Sequence, residues 1–179
     1  KAPFLTLVAG ASVVKALSNL GVEASIKWPN DIIVHNKKIC GILTELSAEM
    51  ERVNYVVIGI GINIKTIDFP DEIKEKATSL YKEGYKLSRV DIVRQFCIEF
   101  EKLYKGYILD GNKQDTLELC RKYSAIIGKQ VYVIKNNKRE LVKCIDINEN
   151  GNLIVKEKNG EIQEIMSGEV SIRGVKGYV

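Results

Sequence analysis

One histidine, His35, occurs in 179 residues. With no second histidine to share a metal or a catalytic relay, His35 is assigned to an exposed hairpin tip. Cysteine is sparse too. Cys40, Cys97, Cys120 and Cys144 form no CxxC pair, which argues against a zinc knuckle or a redox couple and favours reduced thiols in a cytoplasmic protein. No apolar run is long enough to span a membrane. No signal-peptide pattern opens the chain, and neither does a methionine, so "KAPFLTLVAG" reads as a chain entered midway. The 27 basic and 23 acidic side chains are evenly spread, without the like-charge block of a nucleic-acid arm.

What is present is ordinary globular material, 45% hydrophobic and 28% charged. Leu5, Val8, Ala9, Val13, Ala16, Leu17 and Leu20 recur at helical spacing, and Gly21 is a good stop. From Ala24 to Ile64 the period changes. "ASIKW", "DIIVH", "KICGILTEL" and "VNYVVIGIGINI" read as four strands of an antiparallel meander, with a turn at Asn36-Lys37. From Pro70 the pattern returns to helix. Ser88 and Asp91 resemble a capping box, and a further helix is predicted from Lys113 to Tyr123. Beyond Ile126, alternating runs broken at Asn136-Asn137, Asn150-Gly151 and Asn159-Gly160 predict five short strands and a small closed barrel. The whole is an α+β chain.

Two strands carry unusual glycines. Gly59-Ile60-Gly61 lacks the third glycine and the following helix of a dinucleotide fingerprint. Strand parity instead puts Ile58, Ile60 and Ile62 on one face and Gly59, Gly61 and Asn63 on the other. Gly41 and Leu43 share a face in the preceding strand. Bare backbone at these positions fits either a bulge or close helix packing, or a shallow slot for a flat, mostly apolar ring. Asn30 and Asp31 open one strand and Lys38 opens its partner. Asp31 and Lys38 fit a surface ion pair or the anion-binding mouth of the slot.

"KWPND", "KKICGILTE" and "GIGINI", in that order and spacing, resemble the central motifs of the biotin protein ligases, the biotin–[acetyl-CoA-carboxylase] ligases. The resemblance implies a mostly antiparallel mixed sheet packed with helices over residues 1–125, of the class II aminoacyl-tRNA synthetase/biotin ligase type, then a small SH3-like β-barrel over 126–179. It implies activation of biotin by ATP with magnesium to biotinyl-5′-AMP, and transfer to a lysine of a biotin carboxyl carrier domain. By the same resemblance Lys38 and Asp31 are catalytic. Lys38, Gly41, Leu43, Gly59 and Gly61 hold biotin; Asn30, Asn63, Lys27, Arg173 and Glu169 face the nucleotide; no residue is assigned to a metal. Glu169 and Arg173 also fit an exposed pair on the barrel. The family's Gly-Arg-Gly-Arg-x-Gly-Arg loop and Ser-Thr-Asn segment are not among these residues, so a fragment with impaired turnover is expected. A homodimer through sheet edges is a further expectation. An alternative is a bifunctional ligase and repressor, binding DNA through a helix-turn-helix upstream.

Overall fold

A computed structural model describes residues 2–49, 52–135, 138–168, 171–175 and 178–179. Helix α1 (Ala2–Asn19) is apolar nearly all round, and Val8, Ala9, Ala11, Val13, Val14, Ala16 and Leu17 are all buried. Such a helix belongs in an interior. It packs on α2 (Arg89–Leu109), α3 (Gln114–Lys122) and the first sheet. Gly21, at φ +81°, ends it: Val22 N–H donates to Leu17 O at 2.9 Å and Gly21 N–H to Ser18 O at 3.0 Å. This is a Schellman cap, which needs a left-handed residue at that point.

Strands β1 (Ser25–Lys27), β2 (Asp31–Val34), β3 (Lys37–Glu49) and β4 (Arg52–Ile62) form an antiparallel meander in sequence order, as their short connections predict. The β2–β3 turn falls one residue earlier than the sequence placed it. His35 and Asn36 take φ +46° and +62°, the primed-turn geometry that matches strand twist, and Lys37 is already paired with Val34.

The helix expected from Pro70 is not formed; residues 71–76 are turns and helix resumes only at Arg89. Local turns use the segment's N–H groups, Ile73 and Lys74 donating to Pro70 O at 3.0 Å and Ala77 to Ile73 O at 2.8 Å, and the end of the segment is tied to the first sheet. Lys38 N–H donates to Lys76 O at 2.7 Å, Thr78 N–H to Lys38 O at 2.9 Å, and Leu80 N–H to Asn63 O at 3.0 Å. Ser88 caps α2 as the sequence predicts, accepting from Asp91 N–H at 3.1 Å and donating to its carboxylate at 2.6 Å.

Strands β5 (Gln130–Lys135), β6 (Lys138–Ile147), β7 (Leu153–Lys156), β8 (Ile162–Ile165) and β9 (Ser171–Gly174) form a second antiparallel sheet, ordered β8-β7-β6-β5-β9. Gly151 and Gly160 sit in its turns at φ +84° and +93°; the Asn136-Asn137 turn lies outside the described residues. The closed barrel expected from the alternation is seen as an open five-stranded sheet, because its edge strands β8 and β9 are not paired with each other among the described residues.

The two sheets share a continuous core and are linked by polar contacts made directly and through the end of α3. Trp28, 1% exposed, donates from Nε1 to Gly151 O at 2.9 Å. Arg121 binds Asp146 at 2.8 Å, and Ile26 pairs with Ser124.

Candidate active site

The register of the first sheet builds the site. Lys27 pairs with Asp31, Asp31 with Gly41, and Gly41 with Gly61, so one row crosses all four strands. Directly paired residues of neighbouring strands present their side chains to the same face. The row therefore runs from two charged side chains to two bare positions. One step along, Leu43 pairs with Gly59 and is 62% exposed. The glycine face inferred from alternation is present, and the exposed Leu43 shares it.

Lys38 joins this face through an irregularity. Strict alternation along β3 sets Lys38 with Cys40, opposite Gly41. A register shift between Ile32 and Ile33 inserts an extra residue on β3, so Ile32 faces Cys40 and Ile33 faces Lys38. Ile39 and Cys40 are consequently both buried, and Lys38 turns toward Gly41. Bulges re-aim side chains in this way. A Cβ at position 41 would lie 3.0 Å from Lys38 Nζ and 3.1 Å from its Cε, so the lysine lies in the space that any side chain at 41 would need.

Lys38 Nζ forms an ion pair with Asp31 Oδ1, whose side chain is 14% exposed. The other carboxylate oxygen of Asp31 accepts a hydrogen bond from Tyr178. Lys27, 2% exposed, sets its Nζ 3.4 Å from the centroid of the Tyr178 ring, and Arg173 lies 5.8 Å from the same centroid. Arg173 thus belongs to this cluster, whereas Glu169 lies outside the described residues.

Burial lowers the Lys27 pKa from 10.5 to about 8; Asp31 opposes the shift, while Arg173 and Lys38 add to it. Between about pH 8 and 10.5 the unfolded chain therefore holds a proton at Lys27 that the folded chain has released, and stability rises with pH. Lys27→Met is accordingly expected to raise the melting temperature at pH 7, with a gain that shrinks as pH passes from about 8 toward 10.5. Paired thermal scans of both proteins across that range test this; a gain that grows with pH contradicts it.

The two asparagines are engaged by the main chain. Asn30 donates its amide to Ile42 O at 2.9 Å and shares a cleft with Leu43, Ser167 and Gly168. Asn63 donates to Thr78 O at 3.1 Å, holding the 78–80 segment on the sheet. Burial raises the Cys40, Cys120 and Cys144 thiols to about 12, which makes them poor nucleophiles, while Cys97 is exposed. Among the described residues no group of three His, Cys, Asp or Glu side chains could hold a metal ion. Tyr178 is the member that sequence reading missed; "GYV" at the chain end has no periodicity or motif to single it out.

Two family models match the chain: the biotin/lipoate A/B protein ligase family over residues 1–63, and the biotin protein ligase C terminal domain over residues 126–173. The chain belongs to the biotin protein ligase family. The bifunctional ligase/repressor BirA of Bacillus subtilis strain 168 is 39% identical over 176 residues, covering 96% of this chain and 54% of the relative. That of Escherichia coli K12 is 27% identical over 174 residues, with the same coverage. The chain thus spans about half the length of these curated relatives. The Aquifex aeolicus biotin protein ligase in complex with biotin and ATP superposes with a TM-score of 0.83 at 28% identity, covering 97% of this chain and 72% of that one. This biotin protein ligase family member has no helix among the described residues that is long and apolar enough to cross a membrane.

Proposed function

We propose that this chain works as an ATP-dependent biotin protein ligase, which joins biotin to AMP with release of pyrophosphate and then passes the biotinyl group to a lysine of a biotin carboxyl carrier domain. Residues 1–125 act as the catalytic domain and residues 126–179 as a small C-terminal domain of SH3-like type. The observation that carries the reading is the row Lys27–Asp31–Gly41–Gly61 with Lys38 laid across it. A bare strip with an apolar wall suits a flat bicyclic ring, and an ammonium at its end suits that ring's carboxylate.

In this reading Gly41, Leu43, Gly59 and Gly61 form the floor and wall for biotin. Lys38 offsets the negative charge that builds on the acyl oxygen and the α-phosphate. Asn30, Asn63, Lys27, Arg173 and Glu169 make up the nucleotide side. Asp31 orients the acceptor lysine and takes its proton, because an ammonium is no nucleophile. Magnesium accompanies ATP in such reactions; the described residues supply no cluster for it, and no step here runs through it.

The printed name of the Bacillus subtilis relative, bifunctional ligase/repressor, favours a second reading in which the same protein also binds DNA, through a region this chain does not span. Self-association through the edge strand β4, where Val53, Tyr55 and Val57 are exposed, and a cytoplasmic location complete the proposal.

The test incubates the full-length protein with biotin, ATP, magnesium and a carrier domain, following adenylate formation and carrier labelling separately. Absence of both products overturns the reading. Asp31→Asn is expected to slow transfer by on the order of 10²-fold, the lower range for general base catalysis, and to affect adenylation much less. Equal losses in the two half-reactions would remove Asp31 from the transfer step.

A further inference from the structure

The Asp31 carboxylate is gripped at both ends. Oδ1 meets Lys38 and Oδ2 accepts from the Tyr178 hydroxyl. The carboxylate torsion of an aspartate is broad and nearly two-fold when unrestrained, so two contacts from opposite sides select one orientation. Lys38 comes from the first sheet; Tyr178 comes from the chain end, 147 residues from Asp31 in sequence.

Tyr178 is itself held on several sides. Lys27 lies against its ring face and Arg173 is close by. Val179 lies against β9: a Cβ at Gly174 would lie 2.7 Å from Val179 Cα, a separation no side chain tolerates, so glycine at 174 is what lets Val179 lie there. Burial and the neighbouring Asp31 carboxylate push the Tyr178 phenol above its ordinary range, which keeps its proton in place as a donor.

We propose that Tyr178 is a positioning residue for acyl transfer, fixing the second oxygen of Asp31 so that its remaining lone pairs point at the incoming acceptor lysine. The proposal rests on the ligase reading. In the step concerned the acceptor ammonium gives one proton to Asp31, and the freed amine attacks the acyl carbon. A C–N bond forms, the acyl C–O bond breaks, AMP leaves with the electron pair, and the second proton of the attacking nitrogen passes to the departing phosphate. Orientation of the proton acceptor matters here because small misplacements of a reacting group are costly in rate. The C-terminal sheet thereby acts on the second half-reaction through a single hydroxyl group.

Tyr178→Phe removes the hydroxyl and keeps the ring over Lys27. In the full-length protein, chased from preformed biotinyl-5′-AMP, this variant is expected to transfer biotin about 10-fold more slowly, the scale of one hydrogen bond to a charged group. Adenylation should fall far less, and the carrier KM should hold steady. In an Asp31→Asn background the same change should have no further effect, since the two residues act as one unit. Transfer at the wild-type rate or faster, equal losses in both half-reactions, or an undiminished effect beside Asp31→Asn each overturn the proposal. A wild-type protein that forms no adenylate removes the ligase reading separately. The contact is then judged by carbon-13 tyrosine NMR, in which the Tyr178 phenol should titrate lower in Asp31→Asn than in the wild type; an unchanged titration overturns it.

Discussion

Lys38→Ala in the full-length protein is expected to slow formation of biotinyl-5′-AMP by on the order of 10²–10³-fold, the usual scale for losing one fixed electrostatic contact in a transition state. The size follows from how firmly the lysine is placed. Its backbone is tied on both sides to the 76–78 segment, its ammonium is held by Asp31, and its side chain lies over the empty Cβ position of Gly41. A cation fixed in this way needs no reorganisation as charge builds on the phosphorus and acyl oxygens. The variant should fold normally, because the Lys38 side chain is 37% exposed and its main-chain bonds survive. Single-turnover adenylation from labelled biotin and ATP measures the effect. Labelled biotin reaching the carrier at close to the wild-type rate would remove Lys38 from the chemistry.

The second large effect concerns stability. Trp28→Ala is expected to cost about 3–5 kcal/mol, the range for emptying a large aromatic site in a core. Trp28 is 1% exposed, so the neighbours of the vacated space are already packed and relax only partly. The change also deprives Gly151 O of its 2.9 Å indole donor, and a carbonyl left without a partner in a buried place adds to the loss. Trp28→Phe should lose less, since it keeps much of the ring. Because the indole links the first sheet to the β6–β7 turn, hydrogen exchange in that turn should speed up in both variants. Denaturant midpoints at matched slope give the energies; an alanine variant within about 1 kcal/mol of wild type would show that the site collapses without penalty.

Much of this chain could be read before any coordinates. The apolar α1, its glycine stop, the Ser88 cap and the four-strand meander all follow from local periodicity and turn chemistry, which depend on residues a few positions apart. So did the glycine face: alternation alone grouped Gly41 with Leu43 and Gly59 with Gly61, and the ladder pairs them directly. Asp31 and Lys38 stand out in the sequence by their place beside the hairpin and by family likeness.

Other features were decided only by tertiary structure. Residues 71–76 gave up a helical pattern because the main chain of the segment that follows bonds to the ends of β3 and β4. Lys38 reached the glycine face through a one-residue bulge that no period-two count contains. Lys27 became a buried cation, and Tyr178 became its ring partner and the second clamp on Asp31, through the docking of the chain end. The physical reason is common to all three. Local sequence sets dihedral preference and which face is apolar, whereas a bulge or a long-range contact is chosen by what the rest of the chain brings alongside.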